Sequence, residues 1–177
     1  MHRTALALVA LLAPSCSAPR QEHDYLTGSL LGMMRWAAPQ VREMLDVRGK
    51  DLTLWVLPED DERLETHAAT TGDRRQVAFR ADVRDKKLDV VASICAHEAT
   101  HAHCDREPWR RLPEWAEEGL AHHVAVLLVP DCADDYQPED MAGYRRVAQL
   151  GVGGLRALCE RARREGLDEV PDEWFPR

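Results

Sequence analysis

Residues 86–129 read KKLDVVASICAHEATHAHCDREPWRRLPEWAEEGLAHHVAVLLV, and the pattern of this stretch predicts the central elements of the protein. Apolar residues recur in its first part at helical spacing, until the chain turns at Pro108. Pro113 favours the start of a second helix, which we predict over residues 114–129 with Pro130 as its stop. The stretch therefore predicts two consecutive helices joined by a short loop.

The segments on either side of this pair predict the remaining elements. Short runs rich in β-branched and aromatic residues predict strands, and longer runs with spaced apolar residues predict helices. We expect helices at residues 26–47, 139–150 and 155–165, and strands at residues 52–57 and 76–80. This order predicts an α+β fold, in which a small strand region is followed by the two central helices and then by C-terminal helices.

Composition narrows the class of protein. The chain has 177 residues, of which 31 are acidic and 23 basic, and its formal net charge is −8. This length suits one domain, and a hydrophobic fraction of 45% argues against disorder. The acidic balance and the lack of a long Lys/Arg run argue against nucleic acid as a partner.

The N-terminus has the layout of an export signal over residues 1–18. A short positive start precedes an apolar run at residues 4–13, and small residues follow it. Cleavage before Cys16 would resemble processing of a bacterial lipoprotein, with lipid on that thiol, whereas cleavage after Ala18 would release a soluble exported protein. Both routes stay open, and we favour the first.

The export signal divides the chain and sets its compartment. We expect a polar tether at residues 19–25 and one domain over residues 26–177. No later stretch is apolar and long enough to span a bilayer, so the only membrane contact predicted is a lipid at Cys16. The predicted location is the bacterial cell envelope or the extracellular medium. The sequence indicates no oligomeric state.

Four cysteines remain in the domain, and an even number in an oxidising compartment predicts two disulfides. Nine residues of helix would place the Cα atoms of Cys95 and Cys104 about 13.5 Å apart, too far for a bond of roughly 4.4–6.8 Å. Each would therefore pair with Cys132 or Cys159. Two connectivities stay open, and pairing of Cys104 with Cys132 is slightly preferred.

The first central helix contains a metal-binding pattern, His97-Glu98-Ala99-Thr100-His101, or HExxH. Histidines one helical turn apart project from the same face and can share one metal ion. Glu98 lies beside the first histidine, where it can take a proton from a metal-bound water. The pattern predicts a zinc site.

The second central helix extends this pattern. Residues 112–121, LPEWAEEGLA, resemble the Trp-x-x-Glu-Gly-x-Ala segment of the gluzincin zinc peptidases, the group of thermolysin and aminopeptidase N. The resemblance covers residues 88–126 strongly and the flanking elements only in their order. It implies a minimal gluzincin-like catalytic core with one Zn²⁺ per chain, held by His97, His101 and Glu118.

The same resemblance implies further roles. Glu117 stands where relatives carry an Asn, and it would orient His101. His122 stands where thermolysin-like relatives carry a carboxylate, which is a departure, although His122 could still reach the bound water or a substrate. Tyr144, with Tyr136 as the alternative, would stabilise the oxyanion of the tetrahedral intermediate. By analogy, residues 76–80 would form the edge strand that pairs with an extended substrate.

These features together predict an exported zinc-dependent metallohydrolase, most simply a peptidase acting on a peptide or protein substrate. The alternative from a different class is a catalytically silent binding or scaffold protein of the cell envelope that keeps the same fold. The sequence names neither the substrate nor the bond, because a zinc site alone does not specify them.

Overall fold

The computed structural model describes residues 20–49, 52–62, 64, 66–135 and 140–177. It has the predicted α+β fold, in which the three strands of one small sheet follow the first helix along the chain and precede the remaining helices. The elements are α1 (Arg20–Leu45), β1 (Thr53–Leu57), β2 (Ala68–Thr70), β3 (Gln76–Arg80), α2 (Leu88–His103), α3 (Glu114–Leu128) and α4 (Asp140–Arg164). Residues 1–18, with the predicted export signal and Cys16, lie outside the described part of the chain.

Helix α1 begins earlier than the sequence suggested. It starts at Arg20, so residues 20–25, which we expected as a tether, are helical, and Pro39 lies inside the helix without ending it. A stripe at spacings of three and four residues is buried and packs against α2. It comprises Leu30, Met34, Ala37, Val41 and Leu45. Among the described residues, no helix is long and apolar enough to cross a membrane.

The sheet corrects two expectations. Strand order is β1-β3-β2, with β3 parallel to β1 and antiparallel to β2. Strand β3, expected at the edge, is therefore the middle strand, and β2 forms the edge on its side. The sequence did not predict β2, because three residues are too few to display alternation between the two faces.

Helix α2 packs through small side chains. Cys95, Ala96, Ala99 and Ala102 are buried completely, which allows a close approach of neighbouring helices. In the described part of the chain, no disulfide joins Cys95, Cys104, Cys132 or Cys159, all of which are buried. The two predicted disulfides are therefore absent from the structure. These thiols pack instead as small apolar groups, and burial raises the pKa of Cys95 to about 12.

Helices α3 and α4 cross at two glycines. A Cβ added at Gly119 would lie 2.7 Å from the carbonyl oxygen of Gly143, so only glycine fits there. Helix α4 consists of two helical segments that meet at Gly151, whose φ of 61° breaks the helix. Gly166, with φ 73°, follows its end in the left-handed conformation that is typical of a glycine after a helix. The crossing fixes the part of α3 that faces α2.

Candidate metal centre

Helix α2 places the two histidines of the HExxH pattern side by side. His97 and His101 are one turn apart, and their Nε2 atoms lie 3.1 Å from each other. Their side chains are only 18% and 13% exposed, because Glu117 and Glu118 of α3 lie against them. The pair therefore presents two ring nitrogens to one point at the edge of the core.

Helix α3 brings Glu118 to the same point. Its Oε1 lies 3.3 Å from His101 Nε2, and its Oε2 lies 3.5 Å from His97 Nε2. Donor atoms around a tetrahedral zinc with bonds of about 2.0–2.1 Å are separated by about 3.3 Å. The three residues thus fit one zinc ion in both chemistry and spacing. Glu118 is 51% exposed, so the cluster is open to solvent on its side.

Charge binds the three side chains together. Burial of His101 disfavours its protonated form, but hydrogen bonds to Glu117 and Glu118 outweigh this and raise its pKa to about 10. Burial of Glu118 favours its neutral form and would raise its pKa. The hydrogen bonds to His101 and His97 outweigh this effect and hold the pKa well below the usual range. Protonated His101 and ionised Glu118 therefore stabilise each other. A divalent cation bound at this point would take the place of the proton on His101.

Glu117 makes the contact that the sequence predicted. Its Oε1 lies 2.9 Å from His101 Nδ1. Arg74, which the sequence did not indicate, donates from Nη1 and Nη2 to the two carboxylate oxygens of Glu117, at 2.5 and 3.0 Å. Arg74 Nη1 also donates to the backbone carbonyl of His101, at 2.9 Å. The Nδ1 side of the His101 ring, away from Nε2, therefore contacts the Glu117 carboxylate, and Arg74 fixes that carboxylate in turn.

Glu98 lies beside the cluster and is only 5% exposed. The hydroxyl of Thr70 donates to its Oε2, at 2.7 Å, and to its backbone carbonyl, at 3.0 Å. Thr70 is the last residue of β2, the edge strand. Neither Thr70 nor Arg74 carries a sequence signal, because their partners are 28 and 43 residues away along the chain.

The remaining predicted site residues divide into two groups. The ring of His122 lies 4.6 Å from that of His97, centroid to centroid, so His122 borders the cluster. Tyr144 lies against His123 instead, with ring centroids 6.0 Å apart. Among the contacts of the described residues, none joins Tyr144 to the three ligand candidates, and Tyr136 lies outside the described residues.

No known family model matches the chain, and neither does any curated protein or solved structure. What the structure itself shows is a group of side chains, His97, His101 and Glu118, that could hold a metal ion.

Proposed function

We propose that the chain is an exported zinc-dependent metallohydrolase of the gluzincin type, and that it acts as a peptidase. The observation that carries this proposal is the convergence of His97, His101 and Glu118 within 4.8 Å, with Glu98 buried beside them. Two histidines and one glutamate are the protein ligands of a hydrolytic zinc, which keeps its fourth position open. The half-exposed Glu118 leaves such a position accessible from solvent.

His97 Nε2, His101 Nε2 and the carboxylate of Glu118 would hold one zinc ion per chain. When bound, zinc supplies a Lewis acid that polarises a carbonyl group and lowers the pKa of water towards about 7. Glu98 is the proton carrier in this proposal. Because Thr70 donates to its Oε2, the other oxygen is available to accept a proton from the attacking water and to pass it to the leaving amine.

The developing negative charge on the substrate needs a hydrogen-bond donor. His122 is better placed for this than Tyr144, because its ring packs against His97 whereas Tyr144 packs against His123. The proposal therefore assigns the oxyanion contact to His122.

Strand β2 supports a peptide as the substrate. Register and hydrogen bonds turn His67, Ala69 and Thr71 towards β3, so the backbone groups of Ala68 and Thr70 point to the outer edge of the sheet. An extended peptide could add to this edge by backbone hydrogen bonds. Because Thr70 also contacts Glu98, such a peptide would run beside the proton carrier.

The compartment belongs to the same proposal. We propose that residues 1–18 direct export to the cell envelope or beyond it, with Cys16 as the lipid attachment site of an envelope form. Substrates would then be extracytoplasmic peptides or proteins.

A comparison of the wild type with Glu98→Gln tests the function. Each protein is loaded with zinc and incubated with a mixed peptide library, and mass spectrometry follows the cleavage products. We expect Glu98→Gln to keep one zinc and to lose about 10²–10⁴-fold in cleavage rate, because the substitution removes only the proton carrier. The exposed Glu114→Gln on α3 is the matched control and should cleave as the wild type does. Equal traces from wild type and Glu98→Gln would support the silent binding protein instead.

A further inference from the structure

The turn between β2 and β3 contacts the metal centre at two points. Thr70, at the end of β2, donates to Glu98, and Arg74, in the turn, donates to Glu117 and to the carbonyl of His101. Arg74 has a φ of 54°, the left-handed region that a non-glycine residue adopts only at some cost. Its contacts with α2 and α3 hold the residue in this conformation.

We propose that Arg74 is a positioning residue for the metal centre: it fixes the Glu117 carboxylate against His101 and thereby sets His101 Nε2 towards the ion. The inference rests on the proposed metal site and names a residue that the HExxH and Glu118 motifs do not contain.

The first argument concerns the buried charge of Glu117. Its side chain is only 12% exposed, and a carboxylate in such a position requires charged or hydrogen-bonding partners. Arg74 supplies a two-pronged contact to both oxygens, an arrangement that fixes the plane of the carboxylate as well as its place. Without this fork, His101 would be the remaining hydrogen-bond partner of the Glu117 carboxylate among the described residues, and the carboxylate could rotate.

The second argument concerns the ring of His101. A histidine that binds a metal through Nε2 carries its proton on Nδ1, and the acceptor of that proton fixes the tautomer and the ring orientation. Glu117 Oε1 is this acceptor, at 2.9 Å. Arg74 also holds the backbone carbonyl of His101, so the guanidinium constrains both the ring and the main chain of one ligand.

The proposed role of Arg74 and a simple effect of its charge predict opposite changes in zinc affinity when Arg74 is removed. A guanidinium near a cation site repels the cation, so removal of Arg74 would tighten zinc binding if its charge alone mattered. If Arg74 positions His101, its removal weakens zinc binding although a repulsive charge has gone. Partners of this kind around metal ligands typically change affinity by about 10–100-fold.

The experiment measures zinc affinity of the purified protein by competition with a chromophoric chelator. The variants are Arg74→Ala and Arg74→Lys, and Arg75→Ala is the matched control, since it removes the same charge from an exposed side chain of the same turn. We expect about 10–100-fold weaker binding for Arg74→Ala, a smaller loss for Arg74→Lys, which keeps the charge but not the fork, and a change below about twofold for Arg75→Ala. Visible absorption of the Co²⁺-loaded proteins should change in band position for the two Arg74 variants only.

The outcomes separate this inference from the function. Zinc binding by Arg74→Ala that equals or exceeds that of the wild type would overturn the positioning role and leave the proposed hydrolase intact. The same holds for an equal loss in Arg75→Ala. If Arg74→Ala does not fold, Arg74→Lys decides, because unchanged affinity and an unchanged Co²⁺ spectrum in that variant contradict the role. A wild type that binds no zinc contradicts both the inference and the function, whereas zinc binding without any hydrolysis contradicts the function alone.

Discussion

Two clusters in this molecule each combine a histidine, an arginine and a carboxylate. The His101 cluster consists of Arg74, Glu117 and His101, and the His67 cluster consists of His67, Arg80 and Asp82. In each, Nδ1 of the histidine lies about one hydrogen-bond length from a carboxylate oxygen, at 2.9 Å in the first and 3.0 Å in the second. In each, an arginine donates to the same carboxylate.

The carboxylates are used differently. Both carboxylate oxygens of Glu117 accept hydrogen bonds from Arg74, and Oε1 also lies within hydrogen-bond distance of His101 Nδ1. Each oxygen of Glu117 therefore has a donor. Asp82 places Arg80 and His67 on a single oxygen, Oδ2, and no donor among the described residues reaches its buried Oδ1. Only the first arrangement fixes the plane of the carboxylate.

The surroundings of the histidines differ more. His101 is 13% exposed and has His97 one turn away and Glu118 on the next helix. His67 is 37% exposed and immediately precedes β2. Among the described residues, the ligand atoms of His97, His101 and Glu118 form a group that could hold a metal ion, and His67 is not part of it. A His-carboxylate-Arg contact is thus a local structural feature in both clusters, and the two further ligand candidates, His97 and Glu118, are what make the first a candidate metal centre.

The largest effect should come from removing the ligand that the His67 cluster lacks. Glu118→Ala takes away one of three donors, and we expect zinc affinity to fall by more than the roughly 100-fold upper range for residues that only support ligands. Equilibrium dialysis with metal analysis measures this loss. Glu114→Ala, on the exposed first turn of the same helix, is the control and should bind as the wild type does. Retention of about one tightly held zinc by Glu118→Ala would show that the site is built from other residues.

The second largest effect should come from the crossing of α3 and α4, because α3 carries Glu117 and Glu118 next to His101. Gly119→Ala puts a Cβ 2.7 Å from the carbonyl oxygen of Gly143, so α3 and α4 must separate. We expect a loss of about 1–3 kcal/mol in the free energy of unfolding, as for an overpacked core, together with weaker zinc binding because Glu118 moves with α3. Urea denaturation and the chelator competition measure the two effects.

Gly153→Ala is the control for this substitution. No atom lies within 4 Å of a Cβ built at Gly153, which is an exposed helical position, so alanine should be neutral or stabilise by roughly 0.5–1 kcal/mol. Equal stabilities of the two variants would contradict the close crossing of α3 and α4.

The sequence predicted the part of the site that lies within single helices. His97, Glu98 and His101 follow from the spacing of α2, and α3 begins at Glu114 as expected and ends one residue early. These features depend on periodicity and on proline, which are local properties of the chain. The predicted convergence with Glu118 came from a resemblance to a known motif.

The rest of the site depends on contacts between distant segments. Arg74 lies in a turn that looks like ordinary polar loop, and only the pairing of β2 with β3 brings it to Glu117. Thr70 belongs to a strand too short to recognise. The cysteines show the same limit. Their even number and the predicted export signal favoured disulfides, whereas the four buried thiols pack without one, and no local pattern reveals this environment.

The smallest effect belongs to the His67 cluster and concerns stability, with no effect on zinc. The hydrogen bond from Arg80 holds the pKa of Asp82 below its ordinary value of 3.8, against the opposing effect of burial. A carboxyl group with a depressed folded-state pKa contributes stability above its unfolded pKa and loses it as pH falls through the folded value. We therefore expect Asp82→Asn to cost about 1 kcal/mol at neutral pH, and the difference from wild type to shrink as pH falls below about 3.8.

Urea denaturation at pH 7 and at several acidic pH values checks this dependence, with zinc affinity measured at pH 7. Asp85→Asn is the matched control. Asp85 is 71% exposed, and its Oδ1 lies 3.8 Å from Nε of the exposed Arg84, an ion pair that contributes little to stability. A pH-independent difference would mean that Asp82 acts through packing and not through its charge. The proposed metal site includes His101 and excludes His67. A loss of zinc affinity in Asp82→Asn comparable to that of Glu118→Ala would therefore contradict the proposed difference between the two clusters.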